Sequence, residues 1–338
     1  MYLFYYLKRE TKYISMVSRT ITSNFLSHIR LFSVRPEYKK PPKMIRVKLR
    51  PFMKEDIPDV VKIATQSTFQ YCSESLESWS KHDPEGIKVA VLDSGKVIGL
   101  CAAINHNENF CFGGTFIVLE EYRRLEIGHQ LFSACFAHAG IRNIGLNCPS
   151  EMLNSYKRRG FTVFEESFSS LEYECKGRLN AEPLSNQLPP GVDLIPFEEC
   201  YLDAMSAYDR ALIGYDRKTI LKAHCKETNT KTLVAFKKGI CVGFGSVKLN
   251  VSEAARVGPL YANDPAIAEV MFKRLVDAMP EAKGFAAVTI SKNLAANEII
   301  RKLGLPVHDN LLRLYTKEKM FINTMKVFCQ FDVDFSPF

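Results

Sequence analysis

The ten cysteines contain no C-x-x-C pair and lie far apart along 338 residues. Neither a zinc site nor a disulfide framework is implied, because isolated cysteines are most often buried small hydrophobes in a reducing compartment. No two candidate ligands show a metal-site spacing, so no metal is assigned. No apolar run approaches the ~20 residues that span a membrane, and the opening "MYLFYYL" is too short for a secretory core. No G-x-G-x-x-G follows the first expected strand, which disfavours a dinucleotide-binding domain.

Acidic residues are scarce only at the front. Residues 1–43 hold nine Lys/Arg and two Asp/Glu, so +7 of the formal net charge of +8 sits there, while the remaining 295 residues carry 36 basic against 35 acidic. A neutral body without a basic, aromatic-interleaved stripe argues against a nucleic-acid binder. Residues 11–36 have no acid, many Ser and Thr, and Lys12, Arg19, Arg30 and Arg35 spread through them. That composition, with Arg30-Leu31-Phe32 before Ser33, resembles a mitochondrial presequence. The alternative is a basic tail of no targeting value, which leaves localisation between mitochondrial matrix and cytoplasm. "KKPPK" (39–43) marks the start of folded structure beyond it.

From residue 45 the pattern reads β-α-β-β-β-α-β-α-β. "IRVKLRPF" is a strand, "KEDIPDVVKIATQSTF" a helix, "IKVAVLDSGKVIGLCAAI" a hairpin and "FCFGGTFIVL" (110–119) a further strand. "GHQLFSACFAHAG" follows as a helix, "IGLNC" as a strand, "SEMLNSYKRRG" as a helix and "FTVFEESFSSLEYEC" as a long final strand. "KGRLNAEPLSNQLPPG" (176–191) is a linker by composition.

The same landmarks then return: "DLIPFEE" repeats "RPFMKED", "KGICVGFGSV" repeats "SGKVIGLCAA", and "AANEIIRKLGL" repeats "SEMLNSYKRRGF". Pro51 to Gly99 is 48 residues and Pro196 to Gly243 is 47; Pro51 to Gly160 is 109 and Pro196 to Gly304 is 108. Three landmarks in order, with spacing kept to one residue, indicate a duplicated domain rather than a solenoid. The expected organisation is a leader (1–43), a first domain (44–175), a linker (176–191) and a second domain (192–338), each domain an α/β unit on a mixed sheet.

In "VLEEYRRLEIGHQLFSACFAHAG" (118–140) a strand ends and a helical face begins near Ile127, continued by Leu131, Phe132, Cys135 and Phe136. A strand-to-helix turn points free backbone N–H groups outward, where they and the helix dipole favour an anion. Gly128 allows close backbone approach, and Arg123 and Arg124 add positive charge. The bland alternative is a solvated surface turn with a packing glycine.

This segment resembles the acyl-CoA pyrophosphate loop of the GCN5-related N-acetyltransferases (GNAT), whose consensus runs Arg/Gln-x-x-Gly-x-Gly/Ala. Arg123 fills the first position and Gly128 the last, while Glu126 stands where the inner glycine usually is. "NSYKRRGF" adds Tyr156, four residues before Gly160, which matches the tyrosine that sits near the CoA sulfur in many members. The resemblance covers about residues 45–175 and implies the acyl-CoA N-acyltransferase fold, here as a tandem duplication. It further implies acetyl-CoA or another acyl-CoA as cofactor and a small-molecule or peptide amine as acceptor. Cofactor contacts would fall on the backbone of Phe116, Ile117 and Val118 at the strand end and on the loop and helix start: Arg123, Arg124, Leu125, Glu126, Ile127, Gly128 and His129.

The implied chemistry is direct transfer of the acyl group from thioester to amine, which needs a base for the amine and an acid for the leaving thiolate. Tyr156 is the candidate acid, since a phenol with a reference pKa near 10 donates more readily than it abstracts at neutral pH. No base announces itself; His106 and Glu108, in "NHNENF", lie on a loop that could reach an amine directly or through water, and the alternative for each is a plain hairpin residue.

The second copy has lost this equipment: "ARVGPLYANDPAIAEVMFKRL" (255–275) has no arginine pair before its helix, and Ile300 replaces the tyrosine. Residues 192–320 resemble a non-standard acetyltransferase-like module through "YDRALIGYDRKTIL" and "GPLYA". Asp209, Gly214, Asp216 and Arg217 in that stretch are candidates for acceptor recognition or, alternatively, solvated helix and turn. The tail "FINTMKVFCQFDVDFSPF" reads as a closing strand, an arm over the sheet, or a segment buried in another subunit, with a homodimer one option. Two functions follow: an amine acyltransferase, or an inactive acyl-CoA-binding or protein-interaction module retaining the fold.

Overall fold

A computed structural model describes residues 45–66 and 71–338. The basic leader of residues 1–43 lies outside the described residues, as do both readings of it. Among the described residues no helix is long and apolar enough to cross a membrane.

The first half runs β1 (Val47–Pro51), α1 (Ile57–Gln66), α2 (Ser73–His82), β2 (Ile87–Leu92), β3 (Val97–Asn105), β4 (Phe110–Val118), α3 (Ile127–Ala137), β5 (Asn143–Pro149), α4 (Leu153–Lys157), β6 (Val163–Phe164) and β7 (Ser170–Lys176). The second runs β8 (Val192–Pro196), α5 (Leu202–Ile213), α6 (Lys218–Lys226), β9 (Lys231–Lys237), β10 (Ile240–Leu249), β11 (Ala254–Ala262), α7 (Pro265–Asp277), β12 (Gly284–Ile290), α8 (Leu294–Lys302), β13 (Asp309–Tyr315) and β14 (Val327–Cys329). The α2 helix went unread because only Leu76 and Trp79 mark its buried face, too few apolar residues to show a period.

Both halves lie in one 14-stranded sheet, ordered β1-β2-β3-β4-β5-β13-β7-β12-β11-β10-β9-β8, with β6 on β13 and β14 on β11. The halves have exchanged their last strands. β13 of the second half pairs with β5 of the first, Arg313 opposite Asn147, and β7 of the first pairs with β12 of the second, Glu172 opposite Val288. β7 and β13 also pair with each other, antiparallel, through Asp309, Asn310 and Leu311.

The long final strand expected over 161–175 is therefore two pieces. Glu165 N donates to Arg313 O, the buried Glu165 carboxylate accepts from Ser167, and the chain turns there before β7 departs for the other half. Residues 177–191 form no helix or strand, yet Leu179, Ala181 and Leu184 are buried against the second half's core.

The α3 helix lies on β2, β3 and β4 and buries Ile127, Leu131, Phe132 and Cys135, one stripe at helical spacing. Each large apolar side chain so buried contributes about 1.5–3 kcal/mol. This packing fixes the helix start at the end of β4.

Candidate active site

The parallel ladder between β4 and β5 stops at Gly113 and Leu146. Both strands continue, β4 to Val118 and β5 to Pro149, so they part into a V with no strand between them among the described residues. On the other side, β4 stays paired to β3 at Phe116, Ile117 and Val118. At the apex the register slips, and Gly114 and Thr115 together face Ala102. A bulge of this kind re-aims backbone groups out of the ladder.

The open end of the V meets the arginine loop. Arg123 Nε donates to Val118 O at 2.9 Å, which ties the loop to the strand end. Arg123, Arg124 and His129 are exposed, whereas Leu125 and Ile127 turn toward the core, so the latter two offer a ligand only their backbones. Helix α3 opens at Ile127 with unsatisfied N–H groups in its first turn. A β-carbon on Gly128 would meet Phe116 Cζ at 3.5 Å and Val118 Cγ2 at 3.7 Å, ordinary contact distances. Packing does not demand glycine there, which removes the packing-glycine alternative.

Glu126 has φ 61°, the left-handed conformation that glycine adopts without cost. Its carboxylate is exposed and makes no capping hydrogen bond.

Tyr156 sits at the opposite wall. Its ring is 6.3 Å from Phe132, which is 5.6 Å from Phe116, so aromatic contacts bridge from β4 across α3 to α4. Burial pushes the Tyr156 phenol well above its ordinary pKa, keeping it a proton donor.

The two candidate bases are elsewhere. His106 is buried, its Nε2 donates to Phe335 O at 2.9 Å, and burial, with Arg217 and His82 adding, lowers its pKa to about 3. It is a packed ring between Trp79 and Tyr215, not an open-loop base. Glu108 is exposed at the β3–β4 turn, five residues before Gly113, or about 16 Å along the strand. It lines a separate cavity of about 450 Å³ with Gly214 and Tyr215.

The second-half candidates also resolve into structure. Asp209 and Arg217 form a fully buried bidentate pair with both contacts at 2.8 Å. Asp216 caps α6 by accepting from Lys218 N, and Gly214 ends α5 at φ 92°. The buried members of this set do not face an open cleft.

The tail, expected as a closing strand or an arm over the sheet, forms β14 and a buried arm, but sequence reasoning placed no site residue in it. Residues 331–338 are buried, held by Arg217 to Ser336 Oγ and Phe338 O and by Arg313 to Pro337 O. Asp334 meets the apex of the V: Thr115 Oγ1 donates to Asp334 Oδ1 at 3.2 Å. The alternation of aromatics and acids in "QFDVDFSPF" was the available signal.

Residues 84–163 match a family model described as "Acetyltransferase (GNAT) domain", and residues 205–329 match a second model of the same description. The chain carries two GNAT domains in tandem. Holothin acyltransferase from Pseudoalteromonas sp. (strain SANK 73390) is 21% identical over 233 residues, covering 69% of this chain and 75% of that protein. A solved protein of Pyrococcus horikoshii covers 89% of this chain and all of its own at TM-score 0.67 and 19% identity. The tandem GNAT protein from the clavulanic acid biosynthesis pathway aligns over 80% of this chain and 98% of its own, at TM-score 0.58 and 12% identity. At these identities the solved structures share the fold.

The two GNAT domains differ at the V. In the second, the β11–β12 ladder likewise stops, at Val257 and Ala287. There β14 enters the gap, with Cys329 opposite Leu260 and Val327 opposite Tyr261, and Gln330 N donates to Val288 O of β12. Asn293 holds the entering strand through Nδ2 bonds to Thr324, Met325 and Val327 carbonyls. The residue matching Thr115 is Pro259, which has no N–H. Asp264 caps α7 through Ala266 N, and Pro265 again offers no donor, so the anion site at that helix start is closed.

Proposed function

We propose that the first GNAT domain transfers an acetyl or similar acyl group directly from acyl-CoA to an amine, and that the second domain supports it without an acyl-CoA of its own. The observation that carries this reading is the contrast between the two Vs: among the described residues no strand enters the first, which ends on an arginine loop, whereas the other is filled by β14.

In the first domain the loop and the first turn of α3 hold the pyrophosphate through backbone N–H groups and Arg123 and Arg124. The unpaired edge of β4 holds the acyl arm and places its carbonyl at the bulge. The amine nitrogen bonds to that carbonyl carbon as the carbon–sulfur bond breaks. The nitrogen sheds its proton to a base, and Tyr156 gives the departing sulfur a proton.

The alternative, an inactive acyl-CoA-binding or protein-interaction module, is favoured by one observation: a carboxylate at residue 126 beside the helix start. Purified protein incubated with acetyl-CoA and a panel of amines separates the two. Thiol release that depends on an amine supports the transferase; stoichiometric CoA binding without it supports the binding module.

A further inference from the structure

We propose that Asp334, carried by the C-terminal arm, is the general base of the first domain, so that the arm closing the second V supplies a catalytic residue to the first. This rests on the transferase reading above.

The arm crosses both bulges. Gln330 O lies 2.3 Å from where a β-carbon on Gly258 would stand, and Asp334 O lies 1.6 Å from the corresponding point on Gly114. Both ends of Asp334 then engage the first apex, the carbonyl accepting from Thr115 N at 3.4 Å and the carboxylate from Thr115 Oγ1 at 3.2 Å. The residues on either side are pinned: Phe335 O accepts from His106, Ser336 Oγ from Arg217 and Pro337 O from Arg313. The carboxylate is thus held on a rigid mount at the point where the proposed chemistry places the thioester carbonyl.

The neighbouring acids have other employment. Asp332 is 3.2 Å from Lys248 and 3.4 Å from Arg256, and it accepts from Trp79 Nε1. Asp209 is paired with Arg217. Among the described residues Asp334 has no ion pair within 4.0 Å. The groups that act on it are Arg256 and the Thr115 hydroxyl, which favour its ionised form, and Asp332, which opposes it; Tyr71 and Glu172 feel its charge in turn. Burial outweighs all of these and pushes the carboxyl up to about 7, where a base for an amine is most useful.

Protons balance as follows. The amine nitrogen bonds to the acyl carbon and sheds a proton to the Asp334 carboxylate. The carbon–sulfur bond breaks, and the sulfur takes a proton from Tyr156. Asp334 then releases its proton to solvent and Tyr156 regains one, leaving amide and free thiol.

The test is kcat/KM against pH for wild type, Asp334→Asn, Asp334→Glu and Thr115→Val, with the best amine of the panel, beside calorimetric CoA affinity and a thermal melt. Asp334→Asn is expected to lose roughly 100-fold or more in kcat, with CoA affinity unchanged and the acidic limb of the profile gone. Asp334→Glu recovers part of the rate. Thr115→Val keeps the carboxylate but removes a bond to its ionised form, so its acidic limb moves to higher pH. An Asp334→Asn enzyme as fast as wild type, or faster because the arm has loosened, overturns the inference and leaves the transferase reading standing; so does an unmoved limb in Thr115→Val. Wild type that releases no thiol with any amine overturns both.

Discussion

Asp334 O lies 1.6 Å from the position that a β-carbon on Gly114 would occupy, so the arm and the first bulge fit only because residue 114 has no side chain. Backbone cannot yield as a flexible side chain does. Gly114→Ala is therefore expected to expel the arm or shift the bulge, at a cost of at least the 1–3 kcal/mol typical of overpacking. A lowered melting temperature with new protease cleavage inside residues 327–338 is the expected outcome. An unchanged melt would show that the arm is not seated there.

Glu126 combines a left-handed backbone with a carboxylate at a helix start. Glu126→Gly removes about 1 kcal/mol of conformational cost and the repulsion of a bound phosphate together. Acyl-CoA is expected to bind about fivefold tighter or better, with a small rise in melting temperature. Glu126→Gln separates the contributions, since it removes the charge and keeps the backbone cost. Calorimetry with CoA reads both; equal affinity in all three proteins would mean that residue 126 does not face the ligand.

One acyl-CoA is expected per chain. Native mass spectrometry should show a single bound CoA in wild type and none after Arg123→Ala combined with Gly128→Asp. Two bound molecules, or binding that survives the double substitution, would place a working site in the second domain despite β14.

The arm should make stability depend on pH in two opposite ways. Burial disfavours the charged form of Asp332, but Lys248 and Arg256 outweigh it and hold its carboxyl below the usual range. Its stabilisation is present above the unfolded value near 3.9 and is lost as pH falls through the folded one. Asp334 is raised to about 7, so the folded state keeps its proton longer than the unfolded chain. Its contribution is complete below about pH 4 and declines as pH rises toward 7. Denaturant unfolding from pH 3 to 8 should therefore pass through a maximum in the acidic range. Asp334→Asn should flatten the neutral side, and Asp332→Asn, which removes the carboxylate beside Arg256 and leaves Lys248 only Glu227, should cost about 3–5 kcal/mol throughout.

Much of the fold was legible. Strand and helix periods, the hairpin at Asp93-Ser94-Gly95 and the repeated landmarks are local, and local patterns survive without knowledge of the partner surface. Ile127 as the helix start follows from the apolar stripe that α3 buries. The doubled "YDR" stretch misled because buried and substrate-facing charges use the same residue types; only a partner distinguishes them, and Asp209 and Arg217 are each other's. His106 on a short loop looked accessible because nothing near it in the chain reveals that Phe335, more than two hundred residues later, covers it.

By itself the sequence determined that there are two copies of one α/β unit, and that only the first keeps two arginines and a glycine between a strand and a helix. Those are matters of residue type and spacing. The tertiary structure decided that the copies trade their last strands and that one arm crosses both bulges. Strand pairing is set by backbone hydrogen bonds that any residue but proline can make. Side-chain pattern names a strand, but not its neighbour, and here the neighbour decides which V stays open.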